Sequence, residues 1–397
     1  MVYTLYILSL HIQKKGSVTQ KVRLPNTNEE VRSGITKYER YNKNNLPIYG
    51  GVNDPRMGSF NPLIRCKTCD CTYAGSGSKM DDCPGHFGHI ELIRPVYHCG
   101  FIDEVAKILR CVCYNCSRLL IDEKNHKDRR ALQINDAETR LRCIHDCCRI
   151  KKRCLTASVS DANILLDAVG VDDSVPVPGY PTPAYPHTGD HTNGHTNGHT
   201  TTTTDGTDKP TTTSTTTAPT ISTGCGAYLP KYTRKGMEIE IEYPDDMDTI
   251  PGNGDKKQKL SATRAYDILK RISNEDVRKL GLNPDFSRPE WFLVSVLPVP
   301  PPHVRPSVMA GDGASEDDLT HILCNIIKVN MKLEDSITRG DPPHIIQSYE
   351  ELLQHRITAF FDNERQDTPT ETQRTGRPLK SIRQRLRGNI HIYCQVY

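Results

Sequence analysis

Two residues separate Cys66 from Cys69, and two separate Cys83 from His86, in the runs CKTC and CPGH. This spacing constrains the chain more than any other feature. A two-residue turn aims both side chains at one point, and backbone amides support the thiolates. Two such knuckles complete a tetrahedral set of three cysteines and one histidine, which suits structural zinc. Cys113-Tyr114-Asn115-Cys116 is another knuckle, but no second CxxC follows it. Cys143, Cys147, Cys148, Cys154 and Cys225 are all candidates for its missing ligands. Cys154 ends a basic run, and Cys225 stands in Gly224-Cys225-Gly226, a turn able to present a thiolate. Closed sets of four protein ligands leave no open coordination position, so both sites are expected to be structural.

Fifteen cysteines could instead form disulfides. The apolar start, Met1 to Ile12, lacks the basic region and small-residue cleavage site of a secretory signal. Clustered cysteines in a reducing compartment read as metal ligands. The length of 397 residues suggests two or three domains. The net charge of +3 confines any nucleic-acid surface to a local patch. No run of 18 apolar residues exists, which excludes a transmembrane helix and a membrane partner. Val175 to Pro219 is rich in Pro and Thr and has almost nothing to bury, so it is expected to be disordered. Its spaced histidines, His187 onward, read as linker rather than as a metal tract. Asp246-Met247-Asp248 reads as a solvated loop rather than a magnesium site. The sequence shows no phosphate-cradling Gly loop, no nucleophile elbow and no HExxH.

Beyond the insert, Met237–Tyr243 alternates apolar and acidic residues, predicting a half-exposed strand. Ala265, Ile268, Leu269 and Ile272 predict a helix over 261–272. Ser273 with Asp276 resembles a capping box, and Gly281 stops the following turn. Trp291 to Leu297 reads as buried, and the prolines from Pro298 to Pro302 predict a stiff extended loop. Leu319, Ile322, Leu323, Ile326 and Ile327 form one helical stripe, with Glu316, Asp317 and Asp318 at its positive end. Ile345, Tyr349, Leu352, Leu353, Arg356 and Phe360 outline a second. The short connection through Gly340, Pro342 and Pro343 predicts an antiparallel hairpin.

From Arg374 to Gly388 the chain reads RTGRPLKSIRQRLRG, with six basic residues and no acid. If Pro378 opens a helix, Lys380 and Arg383 share a face and Arg387 follows four beyond Arg383. A solvated face normally mixes signs, so the unbroken run favours phosphate contact.

These residues together resemble one family. GGVNDPRMGS, CKTC, CPGHFGHIEL, RPVYHCGF, CVCYNCSRLL, SRPEWFLVSVLPVPPPHVRPSV, EDDLT and GRPLKSIRQRL resemble the N-terminal part of the largest subunit of DNA-directed RNA polymerase. NDPRMGS and LPVPPPHVRPS are most similar to the eukaryotic polymerase II form. The resemblance spans about residues 50–389 and implies an α+β clamp module of a multisubunit RNA polymerase, zinc-stabilised, with a helical hairpin and a disordered Thr-rich insert. It implies two structural Zn²⁺ sites: Cys66, Cys69, Cys83 and His86, then Cys113, Cys116, Cys154 and Cys225. Cys148 becomes a non-ligand. Two departures are the long Cys69–Cys83 gap, where Cys71 could compete with Cys69, and the much longer Cys154–Cys225 gap.

The resemblance implies an atypical segment over 1–45, a clamp core with the first zinc site over 46–100, and a clamp head over 101–174 completed by 220–243. The disordered insert is 175–219. Core helices follow over 244–299, a lid-like loop over 300–315, the clamp helical hairpin over 316–362, and a rudder-like loop with the basic segment over 363–389. Nucleic-acid contacts are implied at Arg305, Lys380, Arg383, Arg385 and Arg387. Implied partners are the second-largest and smaller RNA polymerase II subunits, template DNA, the RNA–DNA hybrid and nascent RNA. Initiation and elongation factors would dock on the hairpin, and the compartment would be the nucleus. The family's Asn-Ala-Asp-Phe-Asp-Gly-Asp motif, which holds catalytic Mg²⁺, is absent from the sequence, so catalytic residues are expected only in the complete subunit. Residues 390–397 diverge from the family, as expected of a truncated end. The competing expectation is a stand-alone zinc-ribbon nucleic-acid-binding transcription regulator. A zinc hydrolase would need an open metal position.

Overall fold

The computed structural model describes residues 34–44, 46–59, 64–71, 83–154, 224–244, 255–310 and 313–388, with two short strands at 22–23 and 30–31. Apart from Gly224, they belong to one unit built from Met1–Leu155 and Cys225–Tyr397. The Pro/Thr-rich insert with its histidines, Asp246 and Asp248, Met1 to Ile12 and residues 389–397 lie outside the described residues.

In chain order the elements begin with β1 (Val22–Arg23), β2 (Glu30–Val31), β3 (Gly88–Tyr97), α1 (Ile102–Cys111), α2 (His126–Leu132) and α3 (Ala137–Cys148). Then come β4 (Lys231–Lys235), β5 (Glu238–Glu242), β6 (Lys257–Leu260), α4 (Ala262–Lys270), α5 (Asn274–Lys279) and β7 (Leu293–Val299). The last are β8 (Val308–Ala310), β9 (Gly313–Ser315), α6 (Asp318–Arg339), α7 (Pro343–Phe361) and α8 (Ile382–Gly388). The fold is mixed α and β, with small sheets only.

An antiparallel ribbon of β3 and β7 stands between two hydrophobic clusters. The first cluster gathers α1, α4, α5, the antiparallel sheet β4-β5-β6, and Tyr97 and Leu293 from the ribbon. The second places Ile90, Val96, Val294, Leu297 and Val299 against Leu319, Ile322, Leu323, Ile326 and Ile327 of α6 and Leu353, Ile357 and Phe360 of α7. Each such side chain contributes on the order of 1.5–3 kcal/mol when fully buried. The ribbon's register shifts between Glu91 and Val96. Side-chain amides serve the backbone around that irregularity. Asn330 of α6 donates to Glu91 O (3.1 Å) and accepts from Ile93 N (3.1 Å). Gln354 of α7 accepts from Tyr97 N (2.7 Å) and donates to Tyr97 O (2.8 Å).

Local signals act as the sequence suggests in most places. Ser261 and Ser273 cap α4 and α5 through the amides of Arg264 and Asp276. Ile239 and Ile241 of β5 are buried while its glutamates are half-exposed. Asp317 caps α6 by accepting from Leu319 N (2.9 Å). Gly340, at φ +72°, ends α6 in the left-handed conformation, with Gly340 N–H donating to Ile337 O (3.1 Å) and Asp341 N–H to Ser336 O (3.0 Å). Pro343 then opens α7, completing the hairpin.

The proline-rich stretch departs from a plain extended loop. β7 runs on through Pro298 to Val299, and Pro302–Val304 is a 3-10 turn. Proline is tolerated there because the ribbon has only two strands, so β7 retains an open edge. The basic helix also starts later than Pro378. Ser381 and Gln384 form a reciprocal cap: the Ser381 amide donates to Gln384 Oε1 (2.8 Å), and the Gln384 amide donates to Ser381 Oγ (3.4 Å). Lys380 therefore precedes the helix instead of sharing its face with Arg383.

Candidate metal centres and the basic helix

The two CxxC knuckles are built on one backbone circuit. Cys66 N–H donates to Cys71 O (2.9 Å), and Asp70 N–H donates back to Cys66 O (2.9 Å). Cys113 N–H donates to Arg118 O (2.9 Å), and Ser117 N–H donates to Cys113 O (2.9 Å). The residue after the second cysteine, Asp70 or Ser117, sits at φ +59° in both. The turn also aims an amide at the first sulfur, from Thr68 to Cys66 Sγ (3.4 Å) and from Asn115 to Cys113 Sγ (3.4 Å). Such amides stabilise thiolate charge.

Donor atoms of Cys66, Cys69, Cys83 and His86 all lie within 4.8 Å of one another, as do those of Cys113, Cys116, Cys154 and Cys225. In the second group Cys113 and Cys225 Sγ are 3.5 Å apart, and Cys116 and Cys154 Sγ are 3.7 Å apart. A tetrahedral ion with metal–sulfur bonds of about 2.3 Å requires sulfurs about 3.8 Å apart. The donor set thus fits a zinc-sized ion. In the first group His86 Nε2 is buried without a hydrogen-bond partner among the described residues, the state of a ring nitrogen reserved for a ligand.

Proton sharing supports the same reading. The Cys83 thiol hydrogen-bonds to Cys66 and holds its pKa far below the usual thiol range, against burial and with help from His86. The same bond, together with burial, pushes Cys83 up. His86 is raised by the neighbouring Cys66 thiolate. In the second group burial raises Cys113 and pushes Cys154 up to about 11. Burial also opposes ionisation of Cys116, but hydrogen bonds from the Arg118 amide and from neighbouring thiols lower its pKa. The first group holds thiolate charge on Cys66 beside protons that a dication would displace.

Other cysteines stand aside. Cys71 directs its thiol at Cys69 O (3.4 Å), and Cys148 faces Cys111 O (3.8 Å) beneath the second group. Second-group ligands separated by the insert are joined by backbone bonds: Cys154 N–H donates to Ala227 O (2.8 Å) and Leu229 N–H to Lys152 O (2.9 Å). In the CPGH turn Gly85 has φ +80°, and a Cβ there would stand 2.8 Å from Pro301 Cβ. Only glycine allows the Pro-rich loop to pass this close.

Arg305 corrects an expectation. The contact with nucleic acid implied for it does not fit, because Arg305 is 1% exposed. Its guanidinium donates to Pro300 O (2.9 Å), Asn53 Oδ1 (2.8 Å), Thr320 Oγ1 (3.2 Å) and Val52 O (2.5 Å). Burial lowers its pKa to about 10, so the cation persists at neutral pH. Arg305 joins three separated motifs, NDPRMGS, HVRPS and the start of α6.

The basic run is also altered by tertiary structure. Arg377 pairs with Asp318 (2.7 Å), Arg383 with Asp362, Arg385 with Asp317, and Arg387 with Glu364 (2.8 Å). A segment without a single acid thus lies on a surface of mixed sign. Lys380 is exposed, and among the described residues no carboxylate pairs with its ammonium. Asp318, missed as a functional residue, is 5% exposed. It accepts from Gln373 Nε2 (2.7 Å), Arg377 Nη2 (2.7 Å) and Lys380 N (3.1 Å). Asn363 likewise donates to Glu371 O (3.0 Å) and Leu379 O (2.8 Å) and accepts from Glu371 N (2.8 Å).

The sequence model of the family described as RNA polymerase Rpb1, domain 1, matches residues 27–389. The chain belongs to that family. This Rpb1 domain is therefore part of the largest subunit of a multisubunit RNA polymerase, whose DNA-directed RNA synthesis is an activity of the whole complex. Its partners are other polymerase subunits and nucleic acids. Membership does not favour a stand-alone zinc-ribbon regulator. Two cysteine-rich groups in the Rpb1 domain are able to hold metal ions and are compatible with zinc. No helix among the described residues is long and apolar enough to cross a membrane.

Proposed function

We propose that this chain is the clamp part of the largest subunit of nuclear RNA polymerase II, held in shape by two structural Zn²⁺ ions. The polymerase II assignment is supported by the forms NDPRMGS and LPVPPPHVRPS. Cys66, Cys69, Cys83 and His86 would hold one ion, and Cys113, Cys116, Cys154 and Cys225 the other; bound zinc would supply cross-links and no reaction step. In this reading residues 300–315 are the lid, α6 and α7 the clamp helices where initiation and elongation factors dock, and 363–389 the rudder and basic segment. The second-largest and smaller subunits would complete the cleft around template DNA, the RNA–DNA hybrid and nascent RNA. The Asn-Ala-Asp-Phe-Asp-Gly-Asp motif that holds catalytic Mg²⁺ in the family is absent from the sequence, so these residues with Mg²⁺ alone would add no nucleotides.

One observation carries the nucleic-acid part. Arg385 donates to Val304 O (3.2 Å) and pairs with Asp317, so the Pro-rich loop, the start of α6 and the basic helix meet at one place. Loop and cations would then face the same nucleic acid. The test is equilibrium binding of the full chain to duplex and RNA–DNA hybrid across a salt series. Replacing Lys380, Arg383 and Arg387 with Ala should weaken binding alike for every sequence. Each lost phosphate contact on duplex DNA should lower the salt slope by about 0.9. Unchanged affinity at low salt would remove these residues from the nucleic-acid surface.

A further inference from the structure

Among the cations of the basic segment, Arg383 and Arg387 are half or more exposed, with 50% and 62% of their side-chain surface open. Each meets solvent with part of its donor fork while a carboxylate occupies the rest. Glu364, the partner of Arg387, is itself 43% exposed. Arg385 differs. Its side chain is 19% exposed and doubly held, by Asp317 and by Val304 O. Asp317 belongs to the acidic triplet that opens α6, where Glu316 is engaged by Arg40 (3.2 Å) and Asp318 by Arg377 (2.7 Å).

We infer that the exposed arginines of α8 are held in reserve by carboxylates of the same chain, and that Glu364 sets the affinity of this segment for phosphodiester backbone. The inference rests on the proposed clamp reading and adds the identity of the competitor. Exposed ion pairs are worth about 0–1 kcal/mol, so a closely spaced row of phosphates can take over Arg387 at little cost. Arg387 is then an exchange site: Glu364 leaves and a phosphate oxygen arrives. Arg385, less exposed and twice anchored, keeps α8 seated beside the Pro-rich loop while its neighbours change partners. Nucleic acid is the expected occupant because six cations follow one another from Arg374 to Arg387 with no acid between them, a pattern suited to a continuous row of phosphates. Arginine pairing in the unbound state also limits nonspecific association, since a phosphate approaching Arg383 or Arg387 must first displace a carboxylate.

The test deletes carboxylate charge and keeps shape. Glu364→Gln removes the competitor of Arg387. Asp317→Asn loosens the Arg385 anchor while preserving the helix cap, because Asn caps as well as Asp. Affinity of the full chain for a short mixed-sequence DNA duplex should rise about two- to five-fold with Glu364→Gln, the factor expected for loss of an exposed competing pair. Asp317→Asn, which loosens an anchor and opens no exchange site, should not tighten binding. Glu275→Gln on α5 is the matched control, an exposed acid paired with Lys279 (3.0 Å). If Glu275→Gln tightened binding as much, net charge alone would explain the effect and the inference would fail. Unchanged or weaker binding by Glu364→Gln, with the triple alanine variant still impaired, would overturn the exchange mechanism and leave the clamp reading standing. If the triple variant too were unimpaired, both would fall.

Discussion

Single side chains in this protein do work that their local sequence hides. His98 lies between the Phe101 and Phe361 rings, with centroids 4.9 and 4.5 Å away. Its Nδ1 accepts from the Gly100 amide (3.0 Å), which requires that nitrogen to be unprotonated. Burial lowers its pKa to about 4, against an ordinary value of 6.5. Between those values the unfolded chain binds the proton and the folded chain does not. The resulting stability is full above pH 6.5 and is lost as pH falls toward 4. On the order of 3 kcal/mol is at stake. Denaturant unfolding of the parent and of His98→Phe should converge as pH drops from 7 to 5, because the variant lacks this titration. Parallel pH profiles would show that His98 does not titrate in that range. Arg305 teaches the same lesson with opposite chemistry. It is a permanently charged residue that is buried because backbone and side-chain oxygens surround it.

At the scale of elements, helices were legible wherever apolar spacing met a cap. The α6 stripe is buried at all five positions expected of it. α7 is buried mainly in its C-terminal half, through Leu353, Ile357 and Phe360, and its Arg356 pairs with Glu371 instead of packing. α1 buries Ile102, Val105, Ala106 and Leu109 at helical spacing, but it has no side-chain cap to mark its start in the sequence. The start of α8 was legible in principle, since Ser381-Ile382-Arg383-Gln384 carries the reciprocal cap, but Pro378 was the more obvious signal. Asp318 decides how the segment before α8 is held. Asp318→Ala would remove three hydrogen bonds from a buried carboxylate and should cost about 2–4 kcal/mol. Hydrogen exchange should speed up over 373–380 and stay unchanged over 231–242. Equal effects in both segments would mean that Asp318 supports the fold globally.

For the whole molecule, metal bound at either group would cross-link segments that are distant in the sequence. The second group joins Cys113 and Cys116 to Cys154 and Cys225, across the insert. Metal binding at such a site is part of the folding free energy. Purified protein should contain two zinc ions per chain, one for each group of four ligands. Cys113→Ser should leave one, with faster exchange confined to 113–154 and 225–229 and none at 64–71. A variant retaining both ions, or losing both, would contradict two independent centres.

The sequence by itself determined the two turns of the first candidate metal group, because CKTC and CPGH each close within a few residues; that Cys69 and not Cys71 faces Cys83 and His86 was decided by tertiary structure. It also determined the helical hairpin, where periodicity, cap and Gly340 agree within one stretch of chain. The second ligand set was not closed by spacing alone. Several cysteines had suitable chemistry, and only the strand-like pairing of 152–154 with 227–229 brings Cys225 to Cys116 and Cys113. The character of the basic run was decided wholly by tertiary structure. Its charges are local in sequence, but their partners, Asp317, Asp318, Asp362 and Glu364, arrive from the ends of α6 and α7. Coulomb energy depends on distance in space, so a segment with no acid in sequence is neutralised by acids that only folding brings near.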